Sequence, residues 1–217
     1  MSEKTISLLR EIISGELPGE RAHARMTLRG RIPAREAMLL DPPPRNSAVL
    51  IMMYRKQNKW FTALMKRPDY EGVHGGQVSF PGGKEESEDQ SLLHTALREG
   101  HEETGIHSDQ LHPIGALSRI YIPPSHFLVH PFVAYSPVTP EFQPNQREVE
   151  SIIEIEPEQL LSESAMGLER VFIRQQNLWM KVPAFNIGGQ VVWGATAMIL
   201  SEFVEVFQPV FRMDEPK

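Results

Sequence analysis

Apolar residues recur at helical spacing in three places along the chain. Ile6, Leu8, Leu9, Ile12 and Ile13 predict an amphipathic N-terminal helix that closes near Gly15 and Pro18. Leu92, Leu93, Ala96 and Leu97 predict a second helix. Met198, Ile199, Phe203 and Val206 predict a third, over residues 195–207. Between them the pattern is extended. Residues 48–54 and 60–65 read as two strands joined by the polar turn 55–59, a hairpin. Val78 and Phe80 alternate with Gln77 and Ser79 in a short half-buried strand that Pro81-Gly82-Gly83 ends in a turn, where backbone can approach a ligand closely. Residues 114–122 and 127–135 are extended on either side of Pro123-Pro124-Ser125, and 149–155, 169–175 and 178–182 are further strands. A short helix is expected over 157–161, with Pro157 at its start.

This order divides the chain into an N-terminal helical extension with a Pro-rich connector over 1–45 and one main domain over 46–217; Asp41-Pro42-Pro43-Pro44 forms the stiff end of the connector. Strands flanked by long amphipathic helices predict an α/β fold with a mixed sheet covered on both faces. At 217 residues the chain can hold one substantial core. Its net charge of −6 argues against broad nucleic-acid or anionic-membrane binding. The absence of cysteine removes thiol chemistry and suits a reducing compartment. With no signal-peptide pattern at Met1-Ser2-Glu3-Lys4 and no apolar run of membrane-spanning length, a cytoplasmic protein is expected. Apolar positions of the extension could serve a homodimer or fold back on the core.

The second helix ends in Arg98-Glu99-Gly100-His101-Glu102-Glu103-Thr104-Gly105. Glu99, Glu102 and Glu103 share one face by their i, i+3, i+4 spacing, and Gly105 suits the C-terminal cap. Anions at the negative end of a helix dipole cost roughly 0.3–1 kcal/mol each. At 100° per residue Glu103 falls between Leu92 and Ala96, Glu99 lies just beyond Leu92, and Glu102 lies further round. Carboxylates bordering a packed face need a partner, and Arg98 can neutralise only part of the set. A divalent cation bound to all three would reverse the sign of the penalty. Upstream, Ser87-Glu88-Asp89-Gln90 fits a capping box, with Ser87 or a near neighbour as the cap.

Strand, glycine turn, capped helix and acidic helix end, in that order, resemble the Nudix box of the Nudix hydrolase superfamily, G-x5-E-x7-R-E-U-x-E-E-x-G-U with U apolar. The chain supplies Gly83, then Asp89 in place of Glu, then Arg98, Glu99, Glu102, Glu103, Gly105 and Ile106 in register. Eight residues separate Asp89 from Arg98 where the pattern has seven, and Gly100 takes the apolar position. That glycine costs roughly 1 kcal/mol of helix propensity against alanine, or it permits close packing. The longer gap and the aspartate resemble the variant box of the coenzyme A pyrophosphatase subgroup. So does the upstream run Leu64-Met65-Lys66-Arg67, six residues, then His74-Gly75-Gly76-Gln77-Val78-Ser79-Phe80-Pro81-Gly82-Gly83, although Gly72 replaces a basic residue often found there. Trp193-Gly194-Ala195-Thr196-Ala197 resembles the start of that subgroup's last helix, so the likeness spans about residues 47–207.

The resemblance implies an α/β/α sandwich and hydrolysis of a diphosphate linkage in a small nucleotide substrate, with Mg²⁺ or Mn²⁺ held by Glu99, Glu102 and Glu103. Asp89, Arg98 and Gly105 would brace the loop and helix. Arg67, His74, Gly82 and Gly83 would line the substrate site, although Arg67 alone reads equally as a strand-end cation and His74 as a loop histidine bonded to backbone. The general base could be Glu102, Glu103 or Glu148; the last also reads as a surface acid in a polar loop. Coenzyme A or an acyl-CoA is the favoured substrate, giving 3′,5′-ADP and (acyl-)4′-phosphopantetheine. The alternatives are ADP-ribose, NADH or a dinucleoside polyphosphate, or a Nudix-fold module that binds nucleotide without cleaving it.

Overall fold

The computed structural model describes residues 3–27, 31–69 and 75–213. Helix α1 spans Glu3–Ser14, and two single turns, α2 (Glu20–His23) and α3 (Ala34–Ala37), precede the first strand. Strands β1 (Arg45–Lys56) and β2 (Lys59–Lys66) form the expected hairpin. Its two turn residues, Gln57 and Asn58, have φ of 51° and 63°, the sign that matches the twist of the flanking strands. β3 (Val78–Ser79) and β4 (Gly82–Lys84) lead into α4 (Leu92–Thr104). β5 (His112–Ala116), β6 (Ile120–Ile122), β7 (Phe127–Tyr135) and β8 (Ser151–Ile155) follow, then β9 (Met166–Ile173), β10 (Leu178–Ile187), β11 (Gln190–Trp193) and α5 (Gly194–Met213).

Several segments differ from the sequence pattern, among them the expected strand over 114–122, which is split into β5 and β6. Gly82 and Gly83 do not form a turn; they belong to β4, paired antiparallel with Ser47–Val49 of β1. A β-carbon on Gly82 would collide with the backbone of Ala48 and Val49, so strand pairing is what requires that glycine. β10 continues past Val182 through Pro183 to Ile187 and turns at Gly188-Gly189 into β11, which the apolar alternation did not mark. α5 runs on through Pro209 to Met213, its late turns held by buried Val210 and Phe211. Tertiary burial there outweighs the hydrogen bond that proline removes.

β1 shows how the layers arise. Ala48, Leu50, Met52 and Tyr54 face α4, where they pack with Ala96, Ile106 and Leu111. The alternate residues Val49, Ile51 and Met53 face the other way, into a larger core with Leu9 and Ile13 of α1 and Leu200, Phe203 and Phe207 of α5. A strand buried on both faces reads as a near-continuous apolar run, as residues 48–54 do. The eight-stranded mixed sheet runs β3-β2-β1-β7-β5, with β4 on β1, β6 on β7 and β8 on β2. β1 and β7 are parallel and the other pairs antiparallel. A separate antiparallel sheet, β11-β10-β9, lies against α5.

The N-terminal segment is fastened to this body. Glu202 of α5, fully buried, accepts hydrogen bonds from the Gly19 and Ser118 N–H groups and lies 2.9 Å from His23 Nε2. Arg21 and Arg25 pair with Glu205 one turn later. No described helix is long and apolar enough to cross a membrane.

Candidate active site

α4 carries the acidic cluster, and its ends are well defined. The N-cap is Ser91, not Ser87: its hydroxyl accepts from the His94 N–H at 3.2 Å. Gly105 closes the helix at φ 77°, its N–H bonded to His101 O at 2.8 Å. Gly100 lies against β1 so closely that a β-carbon would meet Leu50 Cδ2 at 2.5 Å. Close helix–sheet packing is therefore its role, and it offsets the lost helix propensity.

The three glutamates differ in burial as their angles around the helix require. Glu103 is 1% exposed, Glu99 14% and Glu102 51% by side chain. Glu103 Oε2 accepts the Gly82 N–H at 2.7 Å and Oε1 accepts from Arg67 Nη2 at 3.0 Å. Burial still pushes its pKa up to about 7, against the pull of Arg67 and the Gly82 N–H, with Glu99 and Glu148 adding repulsion. Glu99 sits directly over Gly83 and is raised by burial, partly offset by Arg98 and reinforced by Glu102 and Glu148. Glu102 meets Arg98 Nη1 at 3.3 Å.

Arg98 is the pivot of the cluster. Its Nε and Nη2 each donate to Asp89 at 3.0 Å, its Nη1 donates to Glu99 at 3.0 Å, and its Nη2 also reaches Lys84 O. The Asp89 side chain is itself sealed in, accepting from the Glu86 N–H and the Thr95 hydroxyl. The bidentate guanidinium holds the Asp89 carboxyl well below the usual carboxylate range and raises Arg98 in turn. Asp89, 9 residues upstream, thus ties the loop to the helix face.

The Gln143–Val149 loop docks on the end of α4. Gln143 and Asn145 donate their N–H groups to Thr104 O and Glu103 O, at 2.8 and 3.2 Å. Gly105 makes room, since a β-carbon there would meet Gln143 at 2.8 Å. Glu148, exposed at the end of this loop, is thereby brought close enough for its charge to act on both Glu99 and Glu103. His74 lies outside the described residues.

Beside the cluster opens a cleft of about 1120 Å³, bounded by Arg67, Gly82 and Gly83, by the aromatic pair Phe172 and Trp179 on the small sheet, and by the first turn of α5. Its size suits a nucleotide-scale ligand. Arg31, from the N-terminal segment, also lines it. Nothing in the local pattern marks Arg31, because its setting is built by β6 and α5, both remote in sequence.

Hard oxygen donors on one helix face, with Glu99 and Glu103 raised in pKa by burial and by neighbouring carboxylates, are chemically suited to Mg²⁺ or Mn²⁺. Among the described residues no three acidic or histidine side chains converge into a closed cation site, and Arg98 occupies the space between Glu99 and Glu102. The fit therefore rests on the donor set and on Glu99, Glu102, Glu103 and Glu148 having, among the described residues, only Arg67 and Arg98 as cationic partners within that cluster.

The sequence profile of the NUDIX domain matches residues 44–176. The mitochondrial coenzyme A diphosphatase NUDT8 of Homo sapiens is 32% identical over 196 residues, 90% of this chain and 79% of that protein. An uncharacterised Nudix hydrolase, NudL, of Yersinia pestis is 34% identical over 161 residues, 74% of this chain and 79% of that protein. Among solved structures, the MutT protein from Methanosarcina mazei Go1 is 18% identical with a TM-score of 0.49, covering 74% of this chain and 92% of that one.

Proposed function

The chain belongs to the Nudix hydrolase family, and from that premise we propose that it cleaves the diphosphate linkage of coenzyme A or an acyl-CoA to 3′,5′-ADP and (acyl-)4′-phosphopantetheine. The observation that carries the hydrolytic reading is Glu103, a carboxylate buried at the negative end of a helix with Glu99 and Glu148 as neighbours. Such an arrangement is costly, and Arg67 offsets only part of it, since burial still leaves the Glu103 carboxyl raised. The narrower substrate reading is supported by the 32% identity to a protein named a coenzyme A diphosphatase and by the run from Gly76 to Gly83.

Glu99, Glu102 and Glu103 would hold Mg²⁺ or Mn²⁺. When bound, the ion supplies neutralisation of the diphosphate oxygens and a lowered pKa for a coordinated water. Arg98 keeps Glu99 and Glu102 aimed at the same space while its bidentate bond to Asp89 anchors it. Arg67 holds Glu103 and stands at the edge of the cleft, where its cationic head would meet phosphate oxygen. Both Glu103 oxygens are already committed, whereas Glu148 is exposed. Glu148 is therefore our choice of general base, taking the proton of the attacking water on its carboxylate. The wall of Phe172 and Trp179 would receive the flat base or the apolar arm.

The test is product analysis with coenzyme A, acetyl-CoA, ADP-ribose, NADH and dinucleoside polyphosphates side by side, each with Mg²⁺, with Mn²⁺ and with chelator. Formation of 3′,5′-ADP from coenzyme A at the highest kcat/KM is the expected result. Preference for another member of the panel would reject the substrate while sparing the family. Turnover undiminished by chelator would reject the cation.

A further inference from the structure

Arg31 differs in its electrostatic surroundings from the cations of the cleft that are paired with acids, while Arg170 lies over the Trp179 ring, 5.5 Å from its centroid. Lys66 pairs with Glu150, Arg67 with Glu103 and Arg174 with Asp69. Among the described residues, Arg31 has no carboxylate partner: its Nε and Nη2 donate to Tyr121 O at 3.1 and 2.7 Å, and its Nη1 to Met198 Sδ at 3.0 Å. A guanidinium has five N–H donors, so two are left uncommitted among the described residues. Burial without a counter-charge lowers the Arg31 pKa to about 10, still fully cationic at neutral pH. Keeping such a charge half-buried costs free energy unless an anion arrives to balance it.

The surroundings are suited to that anion. Tyr121 lies in β6, which runs into the Pro123–Ser125 turn, and the buried Ser125 hydroxyl on that turn has no hydrogen-bond partner among the described residues while Ser125 lines the same cleft. Met198 is in the second turn of α5, a 20-residue helix whose first residues, Gly194, Ala195 and Thr196, also line the cleft. Arg31 therefore sits beside the positive end of a long helix dipole, which adds to its field.

We propose that Arg31, carried into the cleft by the N-terminal segment, binds a phosphomonoester on the ribose of the nucleotide, separate from the diphosphate that is cut, with Ser125 donating a second hydrogen bond. The segment that bears it precedes the residues matched by the NUDIX profile, so this selectivity is an addition to the common fold. The identity of the nucleotide rests on the proposed function; the phosphate site itself does not.

The experiment is calorimetric binding of 5′-AMP, 3′,5′-ADP and 2′,5′-ADP to the full chain in chelator, for wild type, Arg31→Lys, Arg31→Met and Ser125→Ala. Wild type should bind one bisphosphate about 10- to 100-fold more tightly than 5′-AMP, the range of charge-assisted hydrogen bonds. Which bisphosphate it is identifies a 3′- or a 2′-phosphate source. Arg31→Met should erase that preference while leaving 5′-AMP affinity in place, and Arg31→Lys and Ser125→Ala should each retain part of it. A wild type without preference overturns the proposal, as does an Arg31→Met variant that keeps the preference or weakens all three ligands equally. Should Arg31→Met fail to fold, the Lys and Ser125 variants decide, because an unchanged preference in both overturns it. Arg31-dependent preference in a protein that turns over no coenzyme A would reject the proposed substrate and leave this site standing.

Discussion

Glu99 lies directly over Gly83: a β-carbon at position 83 would fall on the Glu99 carboxylate. The second glycine of the Gly82-Gly83 pair therefore clears space for an acidic side chain sixteen residues downstream. Gly83→Ala should displace Glu99, lowering kcat by roughly 10-fold or more, the scale of a misplaced supporting contact. Melting temperature should change little, since Glu99 moves toward solvent. Steady-state kinetics beside a thermal melt check this; unaltered kcat would mean that the position of Glu99 is unimportant.

Glu103→Gln keeps the shape and an acceptor for the Gly82 N–H but removes the charge. Activity should fall about 10²- to 10⁴-fold, with Glu148→Gln falling within the same range and also flattening the acidic limb of the kcat profile. A Glu148→Gln enzyme with the wild-type pH profile would point to Glu102 as the base.

The raised Glu103 carboxyl has a consequence for cation binding. Without a cation it keeps its proton up to about pH 7, so an incoming ion must displace that proton in more acidic solution. Mn²⁺ affinity should therefore climb with pH to about 7 and level off above it. The stability that this protonated carboxyl contributes is complete below the ordinary glutamate value and is lost as pH rises through 7. Calorimetry of Mn²⁺ in two buffers of different protonation enthalpy should count about one proton released in the acidic range and almost none at higher pH. Glu103→Gln should abolish the difference.

Glu202 behaves in the opposite sense. Burial would raise it, but His23, the Ser118 and Gly19 N–H groups and the His23 charge outweigh that and leave it below its ordinary value of 4.5. Its contribution is present above that value and lost as pH falls through the lowered one. Acid should therefore loosen the N-terminal segment, seen as faster proteolysis between α1 and β1 below about pH 4.5. A Glu202→Gln variant should be cut faster at neutral pH and show a flatter acid response.

Much of this architecture could be read from periodicity. β1 and α4 declare themselves because each buries a whole stripe, and the angular order of Glu103, Glu99 and Glu102 around α4 reappears as increasing exposure. The sequence leaves the capping serine open, because Ser87 and Ser91 both precede the apolar stripe. β4 was hidden since Gly82-Gly83 has turn composition, and only its fit against Ala48 and Val49 makes it a strand. β11 was hidden because four residues after a glycine turn carry too short an alternation.

Local patterning, acting through burial of apolar stripes and the dipole of one helix, determined the longer strands, the long helices and the clustering of three glutamates on a single face. Tertiary structure alone decided which groups those glutamates meet. Arg67 and Gly82 reach Glu103, the Gln143–Val149 loop brings Glu148 to it, and Arg31 arrives in the cleft with no acid paired to it among the described residues. Charges interact through space and at short range, so their balance follows from distances that only the folded chain sets.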